Sequence, residues 1–409
     1  MKKLIALLLA LVLVLGLAAC AGDPATDTTD TTNTTDTTDT TDTTDTTDTT
    51  DTTDTTDTTE DPAAEVDYTK VALITDVGTI DDESFNQATW QGVVEFCEAN
   101  GVEYNYYQPT EDSNDARLVS ITTAIADGYD VIVMPGYAFA ETIKETADMY
   151  PDTTFIALDV GEGDLGADYV VPSNVYCAVY QEELCGYMAG YAAVKLGYTH
   201  LGFLGGMAVP AVQRYGYGFV QGADAAAVEL GNADAVTVEY VYGNQFNGDA
   251  DITAYMDNWY QTLGVEVVFA SGGGIYTSAA EAAAKVGGKL IGVDVDQSAN
   301  IDTYGEGMCV TSAMKGLAET VKHMLSEVVA GNFANYGGKI ETLGLVNGDD
   351  PTANYVQLPM ETTQWGDGFT QDDYKALVKA MYDGEVTVSN DISAMPATTI
   401  TVNFAGNIK

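Results

Sequence analysis

The chain has 409 residues, of which 62 are acidic and 15 basic, so its formal net charge is −47 at pH 7. Such a charge makes nucleic acids and anionic lipid head groups poor partners. The only two arginines are Arg117 and Arg214, and the sequence has no phosphate-binding loop motif. A neutral ligand is therefore easier to accommodate than a phosphorylated one.

The first twenty residues have the pattern of a lipoprotein signal peptide. Lysines at positions 2 and 3 precede an apolar run from Leu4 to Gly16, and Leu17-Ala-Ala-Cys20 follows. The apolar run is shorter than the roughly 20 residues that a membrane-spanning helix needs. We therefore predict a signal peptide over 1–19 and an acylated Cys20, carrying palmitate or a similar chain. The anchor would hold the protein on the extracellular face of the cell membrane, or on the periplasmic side in a Gram-negative host.

A repeated segment separates this signal from the rest of the chain. Residues 27–59 are eleven triplets of Asp-Thr-Thr, with Asn33 in place of one aspartate. The repeat has no apolar side chain to bury, and its carboxylates repel one another. We expect residues 20–67 to form a disordered, extended tether, or alternatively an O-glycosylated stalk.

From Lys70 onward, runs typical of strands alternate with runs typical of helices, which indicates an α/β protein with parallel sheets. The first strand is predicted at 71–75, and the first helix begins near Phe85 and ends at Gly101. Further strands are predicted at 102–107, 131–135, 155–159, 200–204, 236–242, 265–270 and 289–294. Further helices are predicted at 114–127, 138–149, 179–196, 210–230, 249–263, 277–286 and 314–330.

This part of the chain is too long for one sheet with its helices, so we expect two lobes. The break between them is predicted near 172–179. The first lobe would comprise 68–177 with about 306–332, and the second 178–305 with about 333–409. Ligands of open α/β lobes bind beyond the carboxyl ends of the strands. Two facing lobes would therefore form one cleft.

Several residues at predicted strand ends are candidates for ligand contact. Asp76, Asp159 and Asp294 each follow or end a strand, and Gly273 lies in the glycine run after another. Carboxylates accept hydrogen bonds from hydroxyl and amino groups, as a sugar or a base bearing N–H donors would require. These positions predict a polar, neutral ligand.

Three candidates near predicted helix starts have structural as well as functional explanations. Asp82 is explained equally well as a cap of the first helix, together with Asp81 and Ser84. Phe85 could stack on a flat heterocycle, although a single phenylalanine is more often part of a core. Lys315 falls in the first turn of the predicted helix 314–330, where a cation opposes the helix dipole, and this hints at a function.

The sequence lacks the patterns of a catalytic or metal centre. Neither His200 nor His323 has a nucleophile motif near it, and no metal-ligand spacing occurs. We therefore expect no cofactor, no metal and no enzymatic activity. The cysteines after Cys20 are interpreted as packed apolar residues, and whether any form a disulfide stays open. They are Cys97, Cys177, Cys185 and Cys309.

The segment from Asp76 to Gln87, with Trp90-Gln-Gly92, resembles the opening signature of the basic membrane protein (Bmp) family of ABC-transporter binding lipoproteins. Purine nucleoside receptors are the best understood members of that family. The resemblance covers about 68–345 and continues in four later motifs. These are Phe155-Ile-Ala-Leu-Asp159, Arg214-Tyr-Gly-Tyr-Gly-Phe-Val-Gln-Gly222, Gly292-Val-Asp-Val-Asp-Gln297 and Thr311-Ser-Ala-Met-Lys315.

The resemblance implies a type I periplasmic-binding fold, with two doubly wound parallel-sheet lobes joined by three crossings. It implies a monomer that captures a nucleoside, of the purine class by the family's pattern, for an ABC permease and its ATPase. The matching positions imply that Asp294 and Lys315 hold ribose hydroxyls and that Tyr215 and Phe246 are candidates for a second aromatic wall. The positions that match residues contacting the base are Asp76, Phe85, Asn86 and Asp159.

Other functions remain open at this point. A different neutral polar solute, such as a sugar, would suit the same carboxylates, and a surface sensor or adhesin without transport would share the anchor and tether. A nucleoside-hydrolysing enzyme is disfavoured because the sequence has neither a metal-ligand cluster nor a nucleophile motif.

Overall fold

The computed structural model describes residues 70–76 and 78–408. The predicted signal peptide, Cys20 and the tether lie outside the described residues. The strands, in chain order, are β1 (Lys70–Ile74), β2 (Glu103–Tyr107), β3 (Val131–Pro135), β4 (Thr154–Leu158), β5 (Val175–Tyr180), β6 (His200–Gly205), β7 (Thr237–Tyr242), β8 (Val267–Ser271), β9 (Lys289–Asp294), β10 (Cys309–Lys315), β11 (Lys339–Leu343), β12 (Val356–Gln357) and β13 (Thr401–Asn407).

The helices of the described residues lie between these strands. They are α1 (Phe85–Asn100), α2 (Asn114–Ala126), α3 (Phe139–Thr146), α4 (Glu162–Leu165), α5 (Glu182–Lys195), α6 (Pro210–Leu230), α7 (Ala250–Asn258), α8 (Tyr276–Ala284), α9 (Ser298–Ile301), α10 (Leu317–Val329) and α11 (Gln371–Tyr382). A π-helical turn, Trp259–Leu263, continues α7. None of the helices in the described ranges is long and apolar enough to cross a membrane.

The described strands form two sheets, one in each lobe. The first has the order β11-β5-β4-β3-β1-β2, and the second has the order β12-β10-β9-β8-β6-β7-β13. All pairings are parallel except that of β12 with β10. Strand β1 has the burial expected of a parallel sheet. From Val71 to Ile74 every residue is fully buried, as in parallel strands that helices cover on both faces. The α/β prediction is confirmed.

The chain passes between the two sheets three times. It leaves the first sheet after β5, returns to it between β10 and β11, and leaves again between β11 and β12. Helix α5 packs on α6 and β10, whereas α10 packs on α1. The first two crossings therefore lie at Gln181 and Gly316, which separate these elements.

These crossings correct the predicted division of the chain. Residues 175–180 form a strand of the first sheet rather than a linker. Within 306–332, β10 belongs to the second sheet, and within 333–409, β11 belongs to the first. The helices predicted at 179–196 and 314–330 therefore begin only after a strand ends. Because buried strands and buried helix starts are both continuously apolar, the apolar pattern did not separate them.

Close contact between two glycine-bearing helices fixes the inner wall of the second lobe. A Cβ atom on Gly186 of α5 would lie 2.1 Å from the carbonyl oxygen of Tyr215 on α6, and one on Gly218 would lie 2.1 Å from that of Glu183. Only glycine permits such an approach of two backbones. The contact holds the first turns of α6 beside the first crossing.

Candidate functional site

A cavity of about 880 Å³ lies between the lobes, at the carboxyl ends of strands from both sheets. This is the edge at which open α/β sheets bind ligands. Its volume falls within the range of small-molecule sites. The structure brings all ten predicted site residues to its wall. They are Asp76, Asp82, Phe85, Asn86, Asp159, Tyr215, Phe246, Gly273, Asp294 and Lys315.

Lys315 is the central charge of this wall. Its side chain is 2% exposed, and its Nζ donates to Asp159 Oδ2 at 2.6 Å and to Glu182 Oε1 at 3.3 Å. Asp294 Oδ1 is 3.8 Å away. Lys315 ends a strand, so the expected conflict with a helix dipole does not exist. Its buried position among three carboxylates marks it as a candidate functional residue instead.

Three aromatic rings surround the same ammonium group. Nζ of Lys315 is 4.8 Å from the ring centroid of Phe85, 5.4 Å from that of Tyr180 and 5.5 Å from that of Tyr215. These distances are within the range of cation–π attraction. The rings and carboxylates together hold the lysine in one place at the meeting point of the lobes.

The charged groups shift one another's pKa. Burial raises the pKa of Asp159 to about 6, although Lys315 partly offsets this effect. Burial also raises the pKa of Asp294. Burial opposes the charge of Lys315, but Asp159, Glu182 and Asp294 outweigh it and raise its pKa above the ordinary value. Lys315 is therefore an ammonium ion at neutral pH, beside two aspartates whose pKa burial raises.

Glu182 is a functional candidate that the sequence analysis missed. Its side chain is fully buried at the first crossing, and Arg214 Nε donates to its Oε2 at 2.6 Å. Burial alone would raise the pKa of Glu182, but Arg214 and Lys315 bring it below the ordinary value. A glutamate at a helix start looks like any acidic residue favoured by the dipole, so no sequence signal distinguished it.

Arg214 and Arg117 are both engaged by carboxylates. Arg214 lies against Glu182, and Arg117 pairs with Asp112. Phosphate recognition normally needs an arginine that is free to bind it in a bidentate manner. The pairing supports the exclusion of phosphorylated ligands that the composition suggested.

The loop before α1 is organised by Asp82. Its Oδ1 accepts from the backbone N–H groups of Ser84 and Gln87, and its Oδ2 accepts from the backbone N–H and the side-chain amide of Asn86. The capping explanation therefore accounts for both oxygens of Asp82. The same Asn86 amide donates to Asp76 Oδ1 at 3.1 Å. This network orients the amide and Asp76 at the cavity wall.

Ser84 connects the lobes rather than capping α1. Its hydroxyl donates to Asp294 Oδ2 at 2.6 Å, and no side-chain cap bond from Ser84 to α1 is formed. Glu83, in the same loop as Ser84, makes two more contacts with the second lobe. Gln297 Nε2 donates to its backbone oxygen at 3.0 Å, and Tyr276 donates to its carboxylate. One loop of the first lobe therefore makes three contacts with the second.

Two cavity carboxylates sit on strained backbone. Asp159 has φ 57° and Asp294 has φ 65°, in the left-handed region that non-glycine residues seldom occupy. Such conformations cost free energy and persist mainly where a site uses them. Oδ1 of Asp159 is also buried without a hydrogen-bond partner. Both observations point to a role for these carboxylates beyond folding.

The two candidates for the second aromatic wall differ in their surroundings. Tyr215 is 2% exposed, and its hydroxyl donates to the carbonyl oxygen of Ala313 at 3.3 Å. Phe246 is only partly buried, and it lies on glycines: a Cβ atom on Gly206 would be 2.5 Å from its ring, and one on Gly272 would be 3.1 Å away. Phe246 therefore presents the more available ring surface.

Neither a metal centre nor a disulfide is present in the described part of the chain. No group of three or more His, Cys, Asp or Glu side chains is placed to hold a metal ion within 70–76 and 78–408. The four cysteines of this part are free and buried. Burial raises their pKa values, for example to about 12 for Cys309, so their thiols are unreactive.

Comparison with known proteins agrees with this architecture. The chain is 29% identical over 294 residues to the CD4+ T-cell-stimulating antigen of Listeria monocytogenes, covering 67% of this chain and 77% of that protein. It is 27% identical over 340 residues to the ABC transporter nucleoside-binding protein BmpA of Lactococcus lactis, covering 78% and 88%. An ABC transporter solute-binding protein from Aeropyrum pernix has a similar structure, with a TM-score of 0.60, 23% identity and coverage of 79% and 88%.

The structural likeness confirms the type I periplasmic-binding fold. The model of the family described as "ABC transporter substrate-binding protein PnrA-like" matches residues 69–349. This range is more than half of the chain and contains every predicted ligand-binding residue. The chain therefore belongs to the Bmp family of ABC transporter substrate-binding proteins.

Proposed function

We propose that this protein captures purine nucleosides outside the cytoplasm and delivers them to the permease and ATPase of an ABC importer. The observation that carries the proposal is the position of Lys315 between Asp159 and Asp294, beside the ring of Phe85. One cluster offers hydrogen-bond acceptors, a donor and an aromatic face. A nucleoside requires all three.

The sugar would bind at the end of the cluster that the second lobe provides. A carboxylate can accept both protons of a cis-diol while an ammonium group donates to a hydroxyl oxygen. Asp294 and Lys315 supply these groups, and Lys315 remains charged because its pKa is raised. The Ser84 hydroxyl that occupies Asp294 Oδ2 would yield to a ribose hydroxyl of the same chemistry.

The base would bind at the end that the first lobe provides. Phe85 offers a ring for stacking, while Asp159 Oδ1 and Asn86 Oδ1 are buried without hydrogen-bond partners and can accept from base N–H groups. Asp76 completes this end of the wall. Phe246 of the second lobe would cover the opposite face of the base. The name of the Lactococcus lactis relative supports a nucleoside ligand.

A thermal-shift screen tests the ligand class. The chain without residues 1–20 would be unfolded and refolded to remove bound solute, then heated with nucleosides, bases, nucleotides and sugars. A solute at about 100 times its dissociation constant adds about 2.7 kcal/mol to the free energy of unfolding. We expect inosine, guanosine or adenosine to raise the melting temperature and nucleotides to leave it unchanged. A rise in melting temperature with sugars alone would contradict a nucleoside ligand and indicate another neutral solute.

The anchor is a separate part of the proposal. Acylation of Cys20 would hold the protein at the membrane, and the acidic repeat would keep the lobes away from the lipid surface. Membrane fractionation and labelling with a palmitate analogue test this, with Cys20→Ala as the variant. We expect the variant to lose the label, and a variant that keeps it would contradict an anchor at this residue.

A further inference from the structure

A loop near the end of the described chain reaches the cavity. We define the C-terminal loop as residues 390–398, between α11 and β13. It lies beyond the segment 69–349 that matches the family model. Two of its residues, Asn390 and Ile392, nevertheless line the cavity between the lobes.

Helix α6 holds the C-terminal loop at both ends. At one end, Gln221 Nε2 donates to the carbonyl oxygen of Ser389 at 2.9 Å, and Ser389 N–H donates to Gln221 Oε1 at 2.9 Å. At the other end, Asp224 Oδ1 accepts from the backbone N–H groups of Thr399, at 2.6 Å, and Ile400, at 3.0 Å. The two anchors are one helical turn apart. The loop therefore has the closely spaced ends of an Ω-loop.

The same helix carries cavity residues at its other end. Arg214 and Tyr215, in the early turns of α6, line the cavity. The loop is thus fixed to an element whose own position is set by backbone contact with α5. A loop held in this way presents its side chains to the cavity from a stable support.

The side chains of the loop offer two kinds of contact. Asn390 is exposed, and its amide makes no hydrogen bond with the described residues, so one acceptor and two donors are available. Ile392 is partly buried and packs against the main hydrophobic core, which leaves the rest of its surface to the cavity. A polar and an apolar group, two residues apart, can distinguish solutes that differ at one substituent.

We infer that the C-terminal loop is a solute-selecting wall of the cavity, in which Asn390 hydrogen-bonds to the solute and Ile392 packs against it. The wall acts on the part of the solute that lies against the second lobe. The inference rests on the cavity being the solute site of this substrate-binding protein. It does not depend on the solute being a nucleoside.

Calorimetric titration of single variants tests the inference. The probes are inosine, guanosine, adenosine, 2′-deoxyinosine, 5′-deoxyinosine, D-ribose and D-galactose. We expect Asn390→Ala to change the ratio of dissociation constants between members of this panel by about 3-fold to 10-fold, as the loss of one hydrogen bond would. Ile392→Ala should shift the same ratios by a similar factor. Asn335→Ala, at an exposed asparagine outside the cavity wall, is the matched control and should leave every constant unchanged.

The ratios distinguish selection from loosening of the structure. The inference would be overturned by variants that weaken the binding of all probes equally, or that leave every ratio of dissociation constants within twofold of the natural chain. If only the sugars bind the natural chain, the nucleoside proposal fails while the loop is still tested on the sugars.

The anchor on α6 supplies a second measurement. Gln221→Ala removes both bonds to Ser389, so amide hydrogen exchange should become faster over 389–398 in the absence of solute. The panel ratios should then move in the direction found for Asn390→Ala. Faster exchange with unchanged ratios would show that the position of the loop does not matter for selection and would contradict the inference.

Discussion

The two lobes repeat one arrangement of strands but contribute different groups to the cavity. The strand order β5-β4-β3-β1-β2 of the first lobe corresponds to β10-β9-β8-β6-β7 of the second. In each lobe an aspartate with left-handed φ ends the corresponding strand or follows it, Asp159 after β4 and Asp294 at the end of β9. The repeated topology therefore delivers one carboxylate from each lobe to the same lysine.

The neighbouring strands show where the lobes diverge. At the end of β10 the second lobe has Lys315, whereas β5 of the first sheet ends at Tyr180 and is followed by Glu182, the first residue of α5. These two side chains carry opposite charges and lie 3.3 Å apart at their closest oxygen and nitrogen. The end of a strand in the second sheet and the start of the helix after β5 thus supply the two halves of one ion pair. The two lobes thus share a strand order but place charges of opposite sign beside the cleft.

The largest effect is expected from removing the charge that the two lobes share. Lys315→Met would leave Asp159, Glu182 and Asp294 buried with less compensation. Breaking a buried pair in this way costs about 3–5 kcal/mol, and we expect this loss of unfolding free energy together with loss of solute binding. Urea unfolding and calorimetry measure the two effects.

The control for this prediction is Lys375→Met, at a lysine that is 47% exposed and 3.9 Å from its partner Asp372. Exposed pairs of this kind contribute about 0–1 kcal/mol. If Lys315→Met were as stable as the control variant, the lysine would not be the group that compensates the carboxylates of both lobes.

The next largest effect should distinguish the two aspartates. Asp294→Asn is expected to cost about 2–3 kcal/mol of binding free energy for a ribonucleoside, because a hydrogen bond to a charged group is lost. The loss should be much smaller for 2′-deoxyinosine than for inosine, since only inosine has the cis-diol. Asp159→Asn should weaken the binding of inosine and of 2′-deoxyinosine to the same degree. Equal behaviour of the two variants would contradict the assignment of sugar and base to different lobes.

A smaller effect is expected from the aromatic walls. Phe85→Ala and Phe246→Ala remove one ring from each lobe, and stacking of a base on an aromatic side chain contributes about 1–3 kcal/mol. Calorimetry should show that each variant binds nucleosides more weakly than the natural chain does, whereas its affinity for D-ribose is nearly unchanged. Phe404→Ala, at a phenylalanine that is 54% exposed, is the matched control. Unequal losses would show which lobe dominates stacking.

The smallest effect concerns Glu183, which follows Glu182 at the first crossing but lacks its partners. Burial raises the pKa of Glu183 to about 7, and its Oε2 has no hydrogen-bond partner. A carboxyl group with a raised folded-state pKa binds its proton more tightly in the folded state than in the unfolded state. Its contribution to stability is therefore present below the unfolded pKa near 4.5 and is lost as the pH rises through about 7.

Glu183→Gln should remove this dependence. We expect the variant to gain about 1–2 kcal/mol of unfolding free energy at pH 8 and to equal the natural chain near pH 4.5. Urea unfolding across this pH range measures the difference. A variant that is less stable than the natural chain at pH 8 would show that Glu183 is ionised and compensated by a group near it.

Some elements whose pattern is complete within the element itself were predicted with their bounds, although α11 was missed despite its capping box of Thr370 and Asp373. Helix α6 was predicted over 210–230, the bounds that the structure has, because a proline begins it and a glycine with φ 70° follows it. Strands β11 and β13 were missed, since their side chains are exposed or only partly buried and their stability comes from pairing with β5 and β7. An edge strand of this kind has no apolar pattern to detect.

The candidate site shows the same division. Asp159 and Asp294 could be located because each terminates an apolar strand, and strand ends share an edge of the sheet. Glu182 and the C-terminal loop could not be located, because the pairing of Glu182 with Lys315 and the position of the loop arise from contacts between segments far apart in the chain. Glu182 meets Lys315 across 133 positions, and Gln221 meets Ser389 across 168. Local sequence carries no information on such pairs.

The glycine contact between α5 and α6 has a mechanical consequence. Helix α5 begins at the first crossing, so a rotation of one lobe against the other turns α5 at its root. Because no side chains lie between the two backbones at Gly186 and Gly218, α6 cannot shift relative to α5 and would turn with α5. If the lobes rotate, we expect α5 and α6 to move as one rigid unit that carries Arg214, Tyr215 and the loop anchored at Gln221 together.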